Sequence, residues 1–354
     1  MKDRLLQYLV CSSCSGAIEV AATSQRDGEE IMEAELACCS CKMRWPVVRG
    51  IPRFASLKSV NDEQAATAAS FGWQWQHFTQ ADEKYEQQFL GWIAPVTPEF
   101  FRSKIVLEGG CGKGRHTQLA ARWGAREVIG IDLSDAVETA FAQNCESPNA
   151  HIIQADIYNL PFAKIFDYAF SVGVLHHLPD PRGGFISLAS KVKPGGYLSA
   201  WVYGAENNEW ITRWVNPLRK RFTSRMNPRT LSQLSKLPAA AVFCATKLLY
   251  GPLNRSARGA TLARHLFYND YLNAISRFGW REQHTIVFDH LVAPTSHYIS
   301  REEFAEWWQE IDASEVTIGW HNQNSWRGFG RIGTMPASGS QAPRKYGELS
   351  VHEL

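Results

Sequence analysis

Between Lys104 and Tyr203, short apolar runs alternate with stretches of helical period. Ile105, Val106 and Leu107 form a mostly β-branched run of the kind buried on both faces of a parallel sheet. Similar runs follow at 126–131, 150–155, 166–172 and 198–203, the last entered through the turn signal Lys193-Pro-Gly-Gly-Tyr. Upstream, 62–89 is Gln-rich with a helical period that sets Phe71, Trp75 and Phe78 at i, i+4 and i+7. Two readings of it stand: a helix packed on the core, or a lid whose aromatic faces cover a bound cation. Downstream, 210–250 reads as helices, first aromatic and basic, then Ala-rich. The 282–292 run reads as extended structure. Ser300 with Glu303 three positions on marks a capped helix start. The segments 316–320 and 326–332 read as a closing antiparallel pair, and 334–354, with Pro, Ser, Gly and Gln, as a disordered tail.

Chemistry enters at the end of the first run. Glu108 closes it, and Gly110, Gly112 and Gly114 follow at every second position before a helix begins at Arg115. Glycine accepts positive φ and brings no Cβ, so such a loop turns sharply and lets backbone approach a ligand. The dinucleotide pattern G-x-G-x-x-G fails, since Arg115 stands where its third glycine belongs, and no P-loop Lys-Ser/Thr follows. An acid two residues before the first glycine repels a pyrophosphate and attracts an ammonium or sulfonium, as carried by S-adenosylmethionine. The second run ends at Asp132, 20 residues past Gly112, the spacing at which an acid meets ribose hydroxyls in nucleotide-binding folds. The third ends at Asp156-Ile157. The fourth leads into Gly173-Val-Leu-His-His-Leu-Pro-Asp.

Over residues 100–204 these signals resemble the class I methyltransferases, in particular the type 11 group, whose first motif is [DE]-x-G-x-G-x-G. The resemblance implies S-adenosylmethionine as cofactor, with contacts at Glu108, Gly110, Cys111, Gly112, Gly114, Asp132, Leu133, Asp156, Ile157 and Ser171. In the family, the Asp156-Ile157 position offers a carboxylate to the adenine amino group and a backbone N–H to the ring. His176, just past the fourth strand, is the candidate general base. Further candidates are His116, His177, Tyr203 and Asp289-His290.

Composition narrows the partners. The 354 residues are 45% hydrophobic with 13 Trp, enough for a large core. A formal net charge of +2 demands no polyanion. No apolar run reaches the 18 residues of a membrane span, and the N-terminal segment lacks the charged–apolar–small order of an export signal, so a cytoplasmic location is expected. The basic run Arg213, Arg219, Lys220, Arg221, Arg225 and Arg229 reads as a solvated helix face, with a lipid or anionic-substrate surface and an RNA backbone as alternatives.

Five of the eight cysteines fall in the first 41 residues. Cys11-Ser-Ser-Cys14 and Cys38-Cys-Ser-Cys41 are two C-x-x-C pairs separated by 23 residues, the pattern of a closed tetrahedral S₄ zinc site with a structural role. Cys39 could replace Cys38, but 38/41 has the commoner spacing. The first 50 or so residues, closing on Gly50-Ile-Pro, resemble the small zinc-binding activators of tRNA and protein methyltransferases. They also resemble the zinc knuckle of ribosomal-RNA guanine methyltransferases.

The resulting expectation is an α/β chain: a Rossmann-like seven-stranded sheet with an N-terminal zinc-ribbon-like module and a helical cap insertion. Its parts are a zinc-binding module at 1–60, a linker or lid helix at 61–99 and a cofactor-binding core at 100–204. A helical cap at 205–265, the end of the fold at 266–333 and the tail follow. Three functions compete: methyl transfer to a small or lipid-like acceptor, methyl transfer to RNA, and a non-enzymatic scaffold docking through the zinc module. Intact Glu108, glycines, Asp132 and Asp156 speak against the scaffold. The absence of N-P-P-[YF] after the fourth strand speaks against methylation of exocyclic base nitrogens. Oligomeric state is not legible.

Overall fold

The computed structural model describes residues 1–78 and 84–333. The 334–354 tail and residues 79–83 of the 62–89 stretch lie outside the described residues. Near the N-terminus β1 (Ile18–Asp27), β2 (Glu30–Cys38), β3 (Arg44–Val48) and β4 (Ile51–Pro52) pair antiparallel in that order. Two helices follow, α1 (Asp62–His77) and α2 (Lys84–Ile93). Asn61 caps α1 by accepting the Gln64 N–H at 2.9 Å.

The large sheet comprises β5 (Ile105–Gly109), β6 (Glu127–Asp132), β7 (Ala150–Gln154), β8 (Phe166–Val172), β9 (Val192–Tyr203), β10 (Ser314–His321) and β11 (Ser325–Arg331). Their order is β10-β11-β9-β8-β5-β6-β7. β5 to β9 run parallel, whereas β11 is antiparallel to both β9 and β10. Alternation along each strand feeds two cores. Leu107 and Ile129 point to one face with Phe185 and Trp308; Val106 and Val128 point to the other with Phe89 and Phe101. Each such side chain removed from water contributes about 1.5–3 kcal/mol. Helices α3 (Arg115–Arg122), α4 (Ala136–Asn144) and α5 (Pro181–Ala189) connect the parallel strands. The order reverses between β5 and β8, the switch point where open α/β sheets bind ligands.

The N-terminal module is not a separate bead. Leu9, Leu36 and Trp45 share one apolar core with Leu160, Phe162 and Phe166. Arg53 bridges Gln154 in parallel, and the Phe54 N–H donates 2.8 Å to the Gln154 carbonyl, so the module covers the β7 edge.

After β9 the chain turns helical: α6 (Asn216–Arg221), α7 (Pro228–Leu234), α8 (Lys236–Ala245), α9 (Gly251–Leu253), α10 (Ala257–Ala263), α11 (Asn269–Ser276) and α12 (Trp280–Val292). The cap thus runs past residue 265. The 282–292 run, expected to be extended, is helix. Its Thr285-Ile-Val is β-branched, but helical spacing buries His284, Phe288 and Val292 on one side, where Phe288 lies 5.5 Å from the rings of Trp73 and Phe78. Gln283 also satisfies carbonyls at and just past the end of α11, donating to Ile275 O at 3.1 Å and Phe278 O at 3.2 Å. Arg219 departs from the solvated face expected of its run. It is fully buried, with Nη2 donating 2.7 Å to Asn216 Oδ1 and Nη1 donating 3.4 Å to His290 O. Ser300 caps α13 (Arg301–Glu310) by accepting the Glu303 N–H at 3.1 Å, as its sequence predicts. Among the described residues no helix is long and apolar enough to cross a membrane.

Candidate active site

Past Gly109 the backbone folds back under β6: the N–H groups of Gly110 and Cys111 both donate 2.8 Å to Ile131 O. Gly110 has φ +80°, and a Cβ there would stand 2.3 Å from Val174 Cγ2. Gly112 has φ +52°, and a Cβ there would approach Trp75 Nε1 to 3.0 Å. The glycines therefore let the loop sit tight between α1 and the segment after β8.

Asp132 accepts the Gly112 N–H on Oδ2 at 2.9 Å, and the Ser134 N–H and hydroxyl on Oδ1 at 2.8 and 2.7 Å. A cavity of about 240 Å³ opens here, lined by Gly110, Cys111, Gly112, Asp132, Leu133 and Ile157 among others. Four more of the sequence-derived cofactor residues sit behind this wall. Glu108, 1% exposed, accepts the Thr117 hydroxyl and meets His116 Nδ1 at 3.1 Å; burial pushes its carboxyl up to about 8. It fastens β5 to α3 instead of presenting charge to the cavity. Ser171 donates 2.9 Å to Gly109 O. Gly114 starts α3. Asp156 accepts 2.8 Å from Gln64 Nε2 of α1 and 3.1 Å from the Tyr158 N–H.

Sequence reasoning missed the polar part of the far wall. Helix α1 presents Gln64, Thr67, Ala68, Phe71, Gln74 and Trp75, a single stripe at i, i+3, i+4, i+7, i+10 and i+11. The aromatic spacing was legible; amides interleaved on the same stripe were the overlooked signal. Phe71 and Trp75 face the cavity, whereas Phe78 packs on Phe288 and His284. The cap adds Tyr271, Phe278, Asp289 and His290, and β9 adds Trp201 and Tyr203. Five wall residues carry buried polar atoms without a protein partner: Thr67 Oγ1, Gln74 Oε1, Gln88 Oε1, Arg277 Nε and His290 Nδ1. Such atoms are costly unless a ligand or water pairs them, so the wall is built for a polar occupant. The Arg115 guanidinium lies 4.5 Å from the Tyr85 ring centroid and 5.7 Å from that of Trp92.

Of the candidate bases, His176 is not on the wall. It is fully buried, its ring 3.9 Å from that of Tyr203 and 4.3 Å from that of His177, and neither ring nitrogen has a partner. Burial holds it well below the usual histidine range. His177 lines the cavity, but its Nδ1 is engaged by Thr295 O at 2.8 Å and the Ser296 hydroxyl at 2.9 Å. Burial lowers it to about 3. His116 also lines the wall, its ring stacked on Phe89 at 4.3 Å. Asp289 on the wall is shifted toward the range that suits proton transfer. It accepts the Tyr203 hydroxyl at 3.2 Å and Gln74 Nε2 at 3.3 Å, and burial raises it to about 6.

Away from the cavity, the sulfurs of Cys11, Cys14, Cys38 and Cys41 all lie within 4.8 Å of one another. Cys11–Cys41 is 3.6 Å and Cys14–Cys38 is 3.4 Å, close to the edge of about 3.8 Å implied by tetrahedral Zn–S bonds. The Ser40 and Cys41 N–H groups each donate 3.4 Å to Cys38 Sγ, as in a knuckle holding a thiolate. Cys39 is exposed and outside the cluster.

Residues 107–200 match a family described as methyltransferase domain. The chain is 32% identical over 139 residues to an uncharacterised protein of Synechococcus sp., covering 38% of this chain and 31% of that protein. It is 37% identical over 114 residues to a tRNA U34 carboxymethyltransferase of Pseudoalteromonas translucida, covering 31% and 35%. The chain thus spans about a third of the length of these curated relatives. A solved S-adenosylmethionine-dependent methyltransferase from Mesorhizobium loti aligns at 24% identity over 36% of this chain and 55% of that one, with a TM-score of 0.29. Residues 107–200, which match this methyltransferase domain, form the centre of the sheet β7-β6-β5-β8-β9-β11-β10.

Proposed function

We propose that the protein transfers a methyl group from S-adenosylmethionine to a small or lipid-like acceptor held in the cavity beneath α1 and the cap. One observation carries the reading: the glycine loop and Asp132 line the same cavity as Asp289 and Tyr203, which supports a cofactor side and an acceptor side within one space. The bound cofactor supplies a methyl group already activated by its sulfonium charge. Asp132, which lines the cavity, would hold ribose hydroxyls, and the Gly110–Gly112 backbone would cradle the rest of the ligand. Gln64, now paired with Asp156, is the α1 side chain that an adenine amino group would displace. Aromatic walls from Phe71, Trp75, Trp92 and Trp201 exclude water and suit a cation. Where the acceptor starts protonated, Asp289 takes its proton, with Tyr203 fixing the carboxylate.

The four thiolates of Cys11, Cys14, Cys38 and Cys41 hold a zinc ion that stabilises the N-terminal module. With four protein ligands it keeps no open position and takes no part in methyl transfer.

An RNA acceptor is the second reading, favoured by relatives named as tRNA U34 carboxymethyltransferases and by the Cys₄ module. Incubation of cell extract fractions with radiolabelled methyl donor separates the two. Label is expected in the small-molecule or lipid fraction, and label confined to RNA would reverse the choice.

A further inference from the structure

We infer that the helical cap docks in the plane of an anionic lipid bilayer. From residue 210 to 269 the sequence has eleven Lys and Arg and no Asp or Glu, although the whole chain carries only +2, so the rest is net negative. Nine of these cations are exposed, among them Arg213, Lys220, Arg221 and Arg225. The same stretch holds nine of the ten exposed large apolar side chains among the described residues, including Trp214 at 68%, Phe222 at 61%, Leu237 at 80% and Leu248 at 78%. Trp214, Leu218 and Phe222 recur every four residues along 211–222, forming roughly one stripe with Arg221 at its edge and Arg213 and Lys220 on the polar side of the same turns.

This pairing of chemistries selects the occupant. A second copy meeting this surface in a two-fold contact would press one cationic surface against another. An RNA backbone would engage the cations and could stack on Trp214 or Phe222, but gives exposed leucines such as Leu237 and Leu248 nothing to bury against. A bilayer interface takes both, with leucine and aromatic side chains at the acyl boundary and Lys and Arg reaching lipid phosphates. The helices are too short to span, so the contact lies in the interface plane. Helices α11 and α12, on which this stretch packs, also line the cavity. The inference goes beyond the proposed methyl transfer and does not depend on it.

The test is co-sedimentation of the full chain with phosphatidylcholine vesicles, with and without phosphatidylglycerol. Binding is expected only to the anionic vesicles and should weaken as salt screens the charges. Lys220→Glu/Arg221→Glu/Arg225→Glu should lower partitioning on the order of a hundredfold. Trp214→Ser/Leu218→Ser/Phe222→Ser should also release the protein while leaving the cations in place. All six positions are exposed, and an unchanged cooperative melt verifies each variant's fold. Three results would overturn the inference: no binding to anionic vesicles; tight binding to structured RNA without vesicle binding; or self-association, abolished by the apolar triple variant, without vesicle binding.

Discussion

Tyr203 Oη donates to Asp289 Oδ2 across 3.2 Å, joining the C-terminal end of β9 to α12 of the cap. Gln74 of α1 donates to the other carboxylate oxygen at 3.3 Å, so sheet, cap and covering helix meet at one half-buried acid. The cavity exists because these three elements close on that point.

The first prediction concerns its pH dependence. Burial raises Asp289 from 3.8 to about 6, so the folded state holds this proton more tightly than the unfolded chain does. Its contribution to stability is therefore full below about pH 4 and lost as pH rises through about 6. Asp289→Asn should flatten that part of the stability profile, measured by denaturant unfolding from pH 4 to 7. In the reaction the ionised form is needed, so kcat/KM should fall below about pH 6. The variant should lose on the order of 10²–10⁴-fold in rate. A pH-independent rate that survives the substitution would show that the acceptor needs no base.

Asp132→Ala tests the cofactor side. It removes a carboxylate whose charge-assisted hydrogen bonds to ribose hydroxyls are worth about 1.5–3 kcal/mol each. Affinity for S-adenosylmethionine and for its demethylated product should drop at least about tenfold by calorimetry. Equal affinity in wild type and variant would refute this assignment.

What could be read from the sequence is what leaves a local mark. The strand cores of β5 to β8 announce themselves as apolar runs, and Gly110 and Gly112 mark positive φ in a crowded loop. Ser300 marks its cap, and the four cysteines their cluster. What left no local mark depends on partners distant in sequence. Asp156 is paired with Gln64 across 92 residues, and Tyr203 with Asp289 across 86, and nothing local announces either bond. The β-branched run in α12 looks like a strand until the chain offers it α1 and α8 to pack on, and tertiary burial then outweighs propensity. The acid before the glycine loop was legible as an acid, but its burial under Thr117 and His116 was not.

The zinc site should hold one ion per chain by elemental analysis. Cys38→Ser should lose the metal, whereas Cys39→Ser should keep it. Cys11 and Cys38 are buried in the apolar core that the module shares with Phe162 and Phe166, so a chelator should lower the melting temperature of the whole chain. Zinc-finger peptides gain about 10–16 kcal/mol from the ion, and part of that should be visible here. Metal-free protein with unchanged melting would remove zinc from the account.

His176 provides the sharpest test of how the site works. Its position after β8 makes it the sequence-derived base, yet its ring is shut between Tyr203 and His177 with both nitrogens unpaired. A buried polar atom without a partner costs about 1–3 kcal/mol, and leucine has a similar volume with no such atoms. His176→Leu should therefore leave thermal stability unchanged or raise it by about that amount. Methyl transfer should stay within a few-fold of wild type, since proton transfer is assigned to Asp289 and His176 does not line the cavity. The measurement pairs a melting curve with kcat and KM across pH. Loss of kcat by more than about a hundredfold at unchanged KM and stability, with the acid limb of the pH profile gone, would make His176 the base. Tyr203 would then be the group through which it reaches the cavity, because that ring lies 3.9 Å from His176 and itself lines the cavity.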